Sequence, residues 1–205
     1  MIVIIDYGMG NLGSVFNMFK KIGVESKISS NISDIQNARK ILLPGVGSFD
    51  TAMKQIEDRG LREVLDNKAL IEKVPVLGIC LGMQLLTCSS EEGTHPGLSW
   101  IKGRTLSFRN RIDSNLKIPH MGWNNVKFEK DSFILDGYKG DVKYYFVHSY
   151  FVKVEKKENS LMTSNYGLEF DSAIINDNII GAQFHPEKSH KFGMKLFENF
   201  AKIDA

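Results

Sequence analysis

The chain has 205 residues, 42% of them hydrophobic, which is enough apolar side chain for one substantial core. Its 26 basic residues stand against 24 acidic ones, a balance that leaves no electrostatic footprint for nucleic acid or an acidic membrane. No apolar run approaches membrane-spanning length, the opening Ile2–Ile5 is too short for the core of a signal peptide, and Cys80 and Cys88 are spaced neither as a metal knuckle nor as a disulfide framework. Cytoplasmic residence without metal, cofactor or disulfide is therefore expected.

In chain order, residues 2–6 read as a strand, 11–22 as an amphipathic helix, 24–29 and 40–43 as strands, 49–59 and 61–70 as helices, and 74–79 as a buried strand. This alternation predicts an α/β fold, a three-layer sandwich with a mostly parallel central sheet and helices on both faces. From Trp100 to about Val154 the pattern changes to short β-rich runs, 123–128 and 143–153 among them, separated by Gly and Asp. An antiparallel β excursion is expected there. Residues 190–202, with Phe192, Leu196, Phe197 and Phe200 at helical spacing, close the fold as a helix with a core-facing stripe. There is no internal repeat and no linker-like run, so residues 1–205 read as a single domain.

Gly8-Met-Gly-Asn-Leu-Gly13 follows a strand and opens a helix, which invites a dinucleotide reading. The next strand ends in Ser29, Ser30 and Asn31, with no carboxylate for a ribose, so that reading is set aside. His120 and His148 stand in no metal-type cluster and read as structural histidines, and His95 and His190 carry no argument.

Cys80 holds the most chemistry. It lies in Val74-Pro-Val-Leu-Gly-Ile-Cys-Leu-Gly-Met-Gln84, where a buried strand runs into a helix, over 83–88 by its pattern, with Gly78 and Gly82 two residues either side. That spacing predicts a nucleophile elbow, with the unpaired N–H groups of a helix starting at Leu81 aimed at the sulfur. Gln183-Phe-His185-Pro-Glu187 supplies a base and a carboxylate: Pro186 pushes His185 towards an extended conformation, in which residues two apart point the same way. Together they follow triad logic with Cys in place of Ser. In Pro44-Gly-Val-Gly-Ser48, the two glycines leave the loop free to turn a peptide N–H towards a developing oxyanion.

Gly78-Ile-Cys-Leu-Gly-Met-Gln84 with Phe184-His-Pro-Glu-Lys-Ser189 resembles the class I (triad) glutamine amidotransferases. More narrowly, the chain resembles the glutaminase subunits of imidazole glycerol phosphate synthase, through residues 5–14, 43–50, Ser89-Ser-Glu-Glu-Gly93, Pro119-His-Met-Gly-Trp-Asn124 and Tyr145-Phe-Val-His-Ser-Tyr150. The resemblance spans essentially the whole chain. It implies a catalytic triad of Cys80, His185 and Glu187, and an oxyanion hole of backbone N–H groups around Val46, Gly47 and Leu81. It also implies glutamine contacts from Gln84 and Glu92 with main chain near Gly47, Ser149 and Tyr150, and a partner-facing edge that includes Asn11, Pro119, Met121 and Trp123.

The implied function is hydrolysis of glutamine to glutamate, with ammonia passed to a (β/α)8 cyclase subunit in a heterodimer that makes imidazole glycerol phosphate. A second domain, a P-loop and an evident acceptor pocket are all missing from this sequence. Two stretches depart from the pattern: Leu85-Leu-Thr-Cys88 lacks an aromatic and an acid before Ser89, and Gly97-Leu-Ser-Trp100 replaces a Gly-Leu-Gly-aliphatic run. Neither touches the triad, but they leave open a paralogue that supplies ammonia for amination of a nucleotide-linked or surface-polysaccharide sugar. Two further alternatives are a cysteine peptidase on the same architecture and a catalytically quiet scaffolding subunit. Gln84 and Glu92 argue against the first, and the intact trio of Cys80, His185 and Glu187 against the second.

Overall fold

The computed structural model describes residues 1–203. In chain order the strands and α-helices are β1 (Ile2–Ile5), α1 (Leu12–Lys21), β2 (Ser26–Ser29), α2 (Ile32–Gln36), β3 (Lys40–Gly45), α3 (Phe49–Asp58), α4 (Leu61–Asp66), β4 (Val76–Cys80), α5 (Leu81–Leu85), β5 (Ser89–Ser90), β6 (Gly103–Ser107), β7 (His120–Phe128), β8 (Val142–His148), β9 (Tyr150–Val154), β10 (Ser160–Asn165), β11 (Glu169–Asn176), β12 (Ile179–Ala182) and α6 (His190–Lys202). The sheet runs β2-β1-β3-β4-β12-β11-β10-β7-β8. Its first five strands are parallel, with β12 paired parallel to β4, while β12 turns antiparallel to β11 and the remainder of that run stays antiparallel. Strands β5, β6 and β9 form a side branch that joins at β11.

The parallel strands are buried on both faces, and the two-residue period of a strand sorts their side chains into two cores. Val3, Ile5, Ile41, Leu43 and Val76 face one core with Ile35 of α2, Met53 and Ile56 of α3, Leu61 and Leu65 of α4, and Met83 of α5. Ile2, Ile4, Leu42, Leu77 and Ile79 face the other, with Val15 and Phe19 of α1 and Leu196, Phe197 and Phe200 of α6. Phe19 and Phe197 meet there with ring centroids 4.7 Å apart. The expected helix–sheet–helix layering follows, and the stripe on the last helix is core as its spacing predicts.

Several boundaries differ from the sequence expectation. The helix over 61–70 is α-helical only to Asp66 and widens into a π turn over Asn67–Ile71, in which Lys68 is buried with its ammonium on Gln36 O at 2.8 Å and on Glu72 Oε2. The helix expected at 83–88 starts at Leu81 and ends at Leu85, because Cys88 N–H bonds Gly103 O and leads the chain into β5. The single strand expected at 143–153 is two, broken at Ser149: β8 pairs with β7, whereas β9 pairs with β6 and β11. The chain changes neighbours at that residue, and the break lies beside the site. The antiparallel region also extends past Val154 through β10 and β11, and residues 120–124 lie in the long β7–β8 pair.

Candidate active site

Parallel strands β3 and β4 end level with each other, Gly45 opposite Cys80, so the Pro44–Ser48 loop and the start of α5 leave the sheet side by side at the strands' carboxyl edge. Cys80 sits between strand and helix with φ 54° and ψ −109°, a left-handed backbone that a non-glycine residue holds only under surrounding constraint. Part of that constraint is close packing: a side chain on Gly82 would run into the Leu43 carbonyl, and one on Gly78 would sit 2.7 Å from Gly82 O. The helix can therefore lie directly on the sheet backbone. Gly47 has φ 114°, a value open to glycine, which lets the Val46–Gly47 peptide turn towards the cavity.

A cavity of about 310 Å³ is lined by Val46, Gly47, Cys80, Leu81, Gln84, Glu92, Pro119, Val147, His148, Ser149, Tyr150 and His185. It gathers Cys80, His185, the three residues read as an oxyanion hole and all five read as substrate contacts. Glu187 stands behind: its Oε1 meets His185 Nδ1 at 2.7 Å, and both side chains are nearly fully buried. The contact forms by a different route from the extended pair expected, because His185 is extended (φ −104°, ψ 94°) while Pro186–Lys188 is a 3₁₀ turn that folds Glu187 back onto the ring.

His185 Nε2 is buried and has no hydrogen-bond partner. Burial disfavours the charged ring, but Cys80 and Glu187 outweigh it and raise His185 to about 10. The raised value favours a protonated ring, which can give a proton within the cavity that Cys80 also lines. Sγ itself lies 3.8 Å from Gln183 Nε2 and 4.0 Å from Val147 O. The arrangement can attack a carbonyl carbon, stabilise the resulting oxyanion and protonate a leaving nitrogen.

Glu92 lies at the cavity with Oε2 on the backbone N–H of Phe49 at 2.9 Å, at the start of α3. Burial pushes its carboxyl up, the Phe49 N–H opposes this, and Asp50 adds to the rise. Glu91, which beside Glu92 would read as half of a solvated pair, is held by Nη1 and Nη2 of Arg111 and by Ser107 N–H, and Arg111 first among these keeps it below the usual carboxylate range.

The residues read as a partner-facing edge divide. Pro119 lines the cavity and follows a cis peptide bond. Met121 and Trp123 point outward from β7, with 61% and 44% of their surface exposed, and Trp123 stacks on His190 at 5.7 Å. Asn11 caps α1, its side chain accepting from Ser14 N–H. The glycine-rich segment before it is packed rather than open, Gly10 against the backbone of Gly45 and Gly8 against Arg59.

His120 and His148 are structural, as their sequence context suggests: Nδ1 of the first meets Nε2 of the second at 2.9 Å among Phe108, Phe146, Tyr166 and Phe170. Two contributors are not evident from motifs. Tyr7, fully buried, donates to Pro44 O at 2.5 Å and braces the loop. Gln183 reaches the sulfur, and its signal is the two-residue spacing to His185. Among the described residues, no group of three or more His, Cys, Asp or Glu could hold a metal ion, and no helix is long and apolar enough to cross a membrane.

A cysteine at a strand-to-helix elbow with a His–Glu pair at the same cavity is a triad site, and the glutamine amidotransferase class-I family model, which matches residues 3–203, makes it the site of a triad amidotransferase. The chain belongs to that family. It is 54% identical over 202 residues to imidazole glycerol phosphate synthase subunit HisH 2 of Methanococcus maripaludis, covering 98% of this chain and 99% of that one. It is 47% identical over 203 residues to imidazole glycerol phosphate synthase subunit HisH 2 of Pseudomonas aeruginosa, covering 99% of this chain and 100% of that one. Among solved structures, a glutamine amidotransferase has the same fold, with a TM-score of 0.74 at 16% identity over 99% of this chain and 100% of its own.

Proposed function

We propose that the chain, acting as one domain over residues 1–205, is the glutaminase subunit of an imidazole glycerol phosphate synthase. One observation carries this reading: Cys80 at its elbow shares a single cavity with His185, Gln84 and Glu92, in a chain half identical to subunits of that name.

The Cys80 thiolate attacks the side-chain amide carbon of glutamine. Backbone N–H groups around Val46, Gly47 and Leu81 receive the oxyanion. His185 gives its proton to the amide nitrogen, the C–N bond breaks, and ammonia leaves a γ-glutamyl thioester. Neutral His185 then takes a proton from water as the water oxygen adds to the thioester carbon, the C–S bond breaks, glutamate is released, and the thiolate and protonated His185 are restored. Glu187 holds the ring throughout. Glu92 and the Gln84 carbonyl oxygen suit the substrate's α-ammonium, and main chain at Ser149 and Tyr150 suits its α-carboxylate.

Ammonia at neutral pH is largely protonated and would be lost to water, so it has to cross an interface. Val46, which lines the cavity, and Ile118, Met121 and Trp123, near Pro119 of its lining in sequence, are exposed apolar residues, and they form the face we assign to a (β/α)8 cyclase partner. In the test, glutamate release from glutamine is measured for the chain alone and with a cyclase carrying its nucleotide, with Cys80→Ala as the blank. Cys80-dependent release stimulated by the loaded partner supports the reading, and its absence in both settings overturns it.

A further inference from the structure

Gln183 is fully buried. We infer that it is a further catalytic group of this site: its side-chain amide donates to Cys80 Sγ and favours the thiolate, while its carbonyl oxygen holds Gln84 in the orientation that glutamine requires.

The two ends of a side-chain amide are alike in shape, so their sense is settled by partners of known polarity. Tyr150 O can only accept, and Gln84 Nε2 reaches it at 3.3 Å. The same Nε2 reaches Gln183 Oε1 at 3.2 Å, which leaves Gln183 Nε2 to face the sulfur at 3.8 Å. Gln84 Oε1 is then the end left for a substrate ammonium.

An independent run of bonds arrives at the same carbonyl. Asn124 Nδ2 is fixed by Asn165 O at 2.9 Å and also meets His120 Nε2 at 3.2 Å. His120 must therefore carry its proton on Nδ1 and give it to His148 Nε2 at 2.9 Å. His148 in turn donates from Nδ1 to Tyr150 O at 2.7 Å. Both rings are neutral in this scheme, in keeping with the burial that pushes His120 down to about 4 and His148 to about 3. Two carbonyls at opposite ends, those of Asn165 and Tyr150, impose one consistent polarity.

At the sulfur, Val147 O is an acceptor for a thiol and Gln183 Nε2 a donor for a thiolate. The titratable groups around Cys80 are His185, in the turn after β12, Tyr7, after β1, and His148 and Tyr150, of β8 and β9, which with Glu92 line the same cavity; Glu187 stands behind His185. Gln183 does not ionise, so its contribution moves the sulfur's pH profile without adding an inflection.

The test uses the full chain with Cys88→Ala, so that Cys80 is the one thiol. Its rate of alkylation by iodoacetamide is followed against pH for Gln183, Gln183→Met and Gln183→Glu, alongside thermal unfolding and glutaminase kinetics. Removing the donor should move the alkylation profile up by about one pH unit in Gln183→Met and further in Gln183→Glu. Roughly ten-fold of kcat should be lost in Gln183→Met, whereas Gln183→Glu, which keeps the acceptor for Gln84, should hold KM for glutamine within about two-fold. Unshifted profiles in folded variants would overturn the assignment. If Gln183→Met does not fold, Gln183→Glu decides. The KM and kcat expectations rest on the glutaminase reading and the alkylation profile does not, so a shifted profile without glutamate release would reject that reading and uphold the sulfur contact.

Discussion

Cys80 combines a strained backbone with a reactive side chain, and the two can be separated by mutation. A left-handed φ costs a non-glycine residue about 1 to 3 kcal/mol and costs glycine almost nothing. Cys80→Gly should therefore unfold at a higher temperature than Cys80→Ala, the reverse of the usual order of these residues, while neither releases glutamate. Equal or inverted unfolding temperatures would show that the 54° φ is unstrained. Protonation supplies a second prediction. His120 and His148 fall to about 4 and about 3 in the folded chain, below the ordinary value near 6.5. The unfolded chain therefore binds more protons as pH drops through 6.5, and stability present above that value is lost on the way down. By pH 5 each ring should have cost roughly 2 kcal/mol, above the range where carboxylates titrate. His185 is opposite in sign: raised to about 10, it stabilises fully below 6.5 and loses its contribution as pH climbs through 10. The unfolding temperature should fall between pH 7 and pH 5, and His148→Gln should flatten that slope.

Elements whose apolar residues recur with a clear period were legible from sequence: β1, α1, β3, α3, β4 and α6 lie within a few residues of where patterning places them. The missed strands have a common physical cause. β10 reads Ser-Leu-Met-Thr-Ser-Asn and β11 carries Asp171 in its middle, so neither looks like a buried strand. Asp171 is satisfied inside the fold, by Ser160 Oγ at 2.6 Å and Val154 N–H at 2.9 Å, partners that only tertiary structure brings. The elbow helix α5 depends on close approach, so Gly82→Ala, forced into the Leu43 carbonyl, should cost more than about 3 kcal/mol or prevent folding. Denaturant unfolding measures it. On β7, Trp123 is half exposed and rests on His190. Trp123→Ala should weaken cyclase binding by roughly ten-fold or more, as truncation of an aromatic anchor does, while shifting the unfolding temperature by less than about 3 °C. Calorimetry of both quantities decides, and a stability loss without a binding defect would return Trp123 to a structural role.

For the whole molecule, the site was more legible than the sheet that carries it, because the elbow and the His-Pro-Glu run announce their chemistry locally. Gln183, Tyr7 and the paired histidines do not, since each acts through a contact with a residue far away in sequence. Division of labour between two chains predicts that Cys80→Ala, assembled with the cyclase, loses the glutamine-dependent reaction and keeps the one fed by added ammonia. Loss of both would mean that the mutation disturbs the partner itself.

Strand β12 closes the parallel sheet, and its place in the chain bears on biosynthesis. While the polypeptide emerges from the ribosome, β4 and Cys80 are made early but lack a neighbour on one side, since the residues that pair with Val76–Ile79 are 179–182. His185 follows only three residues after that strand. A nascent or prematurely terminated chain therefore holds a thiol with no base beside it and an open sheet edge next to it, a form marked for aggregation or proteolysis. Assembly of the Cys80–His185 pair thus waits on residues 179–185, which bring the last parallel strand and the base to the sulfur together.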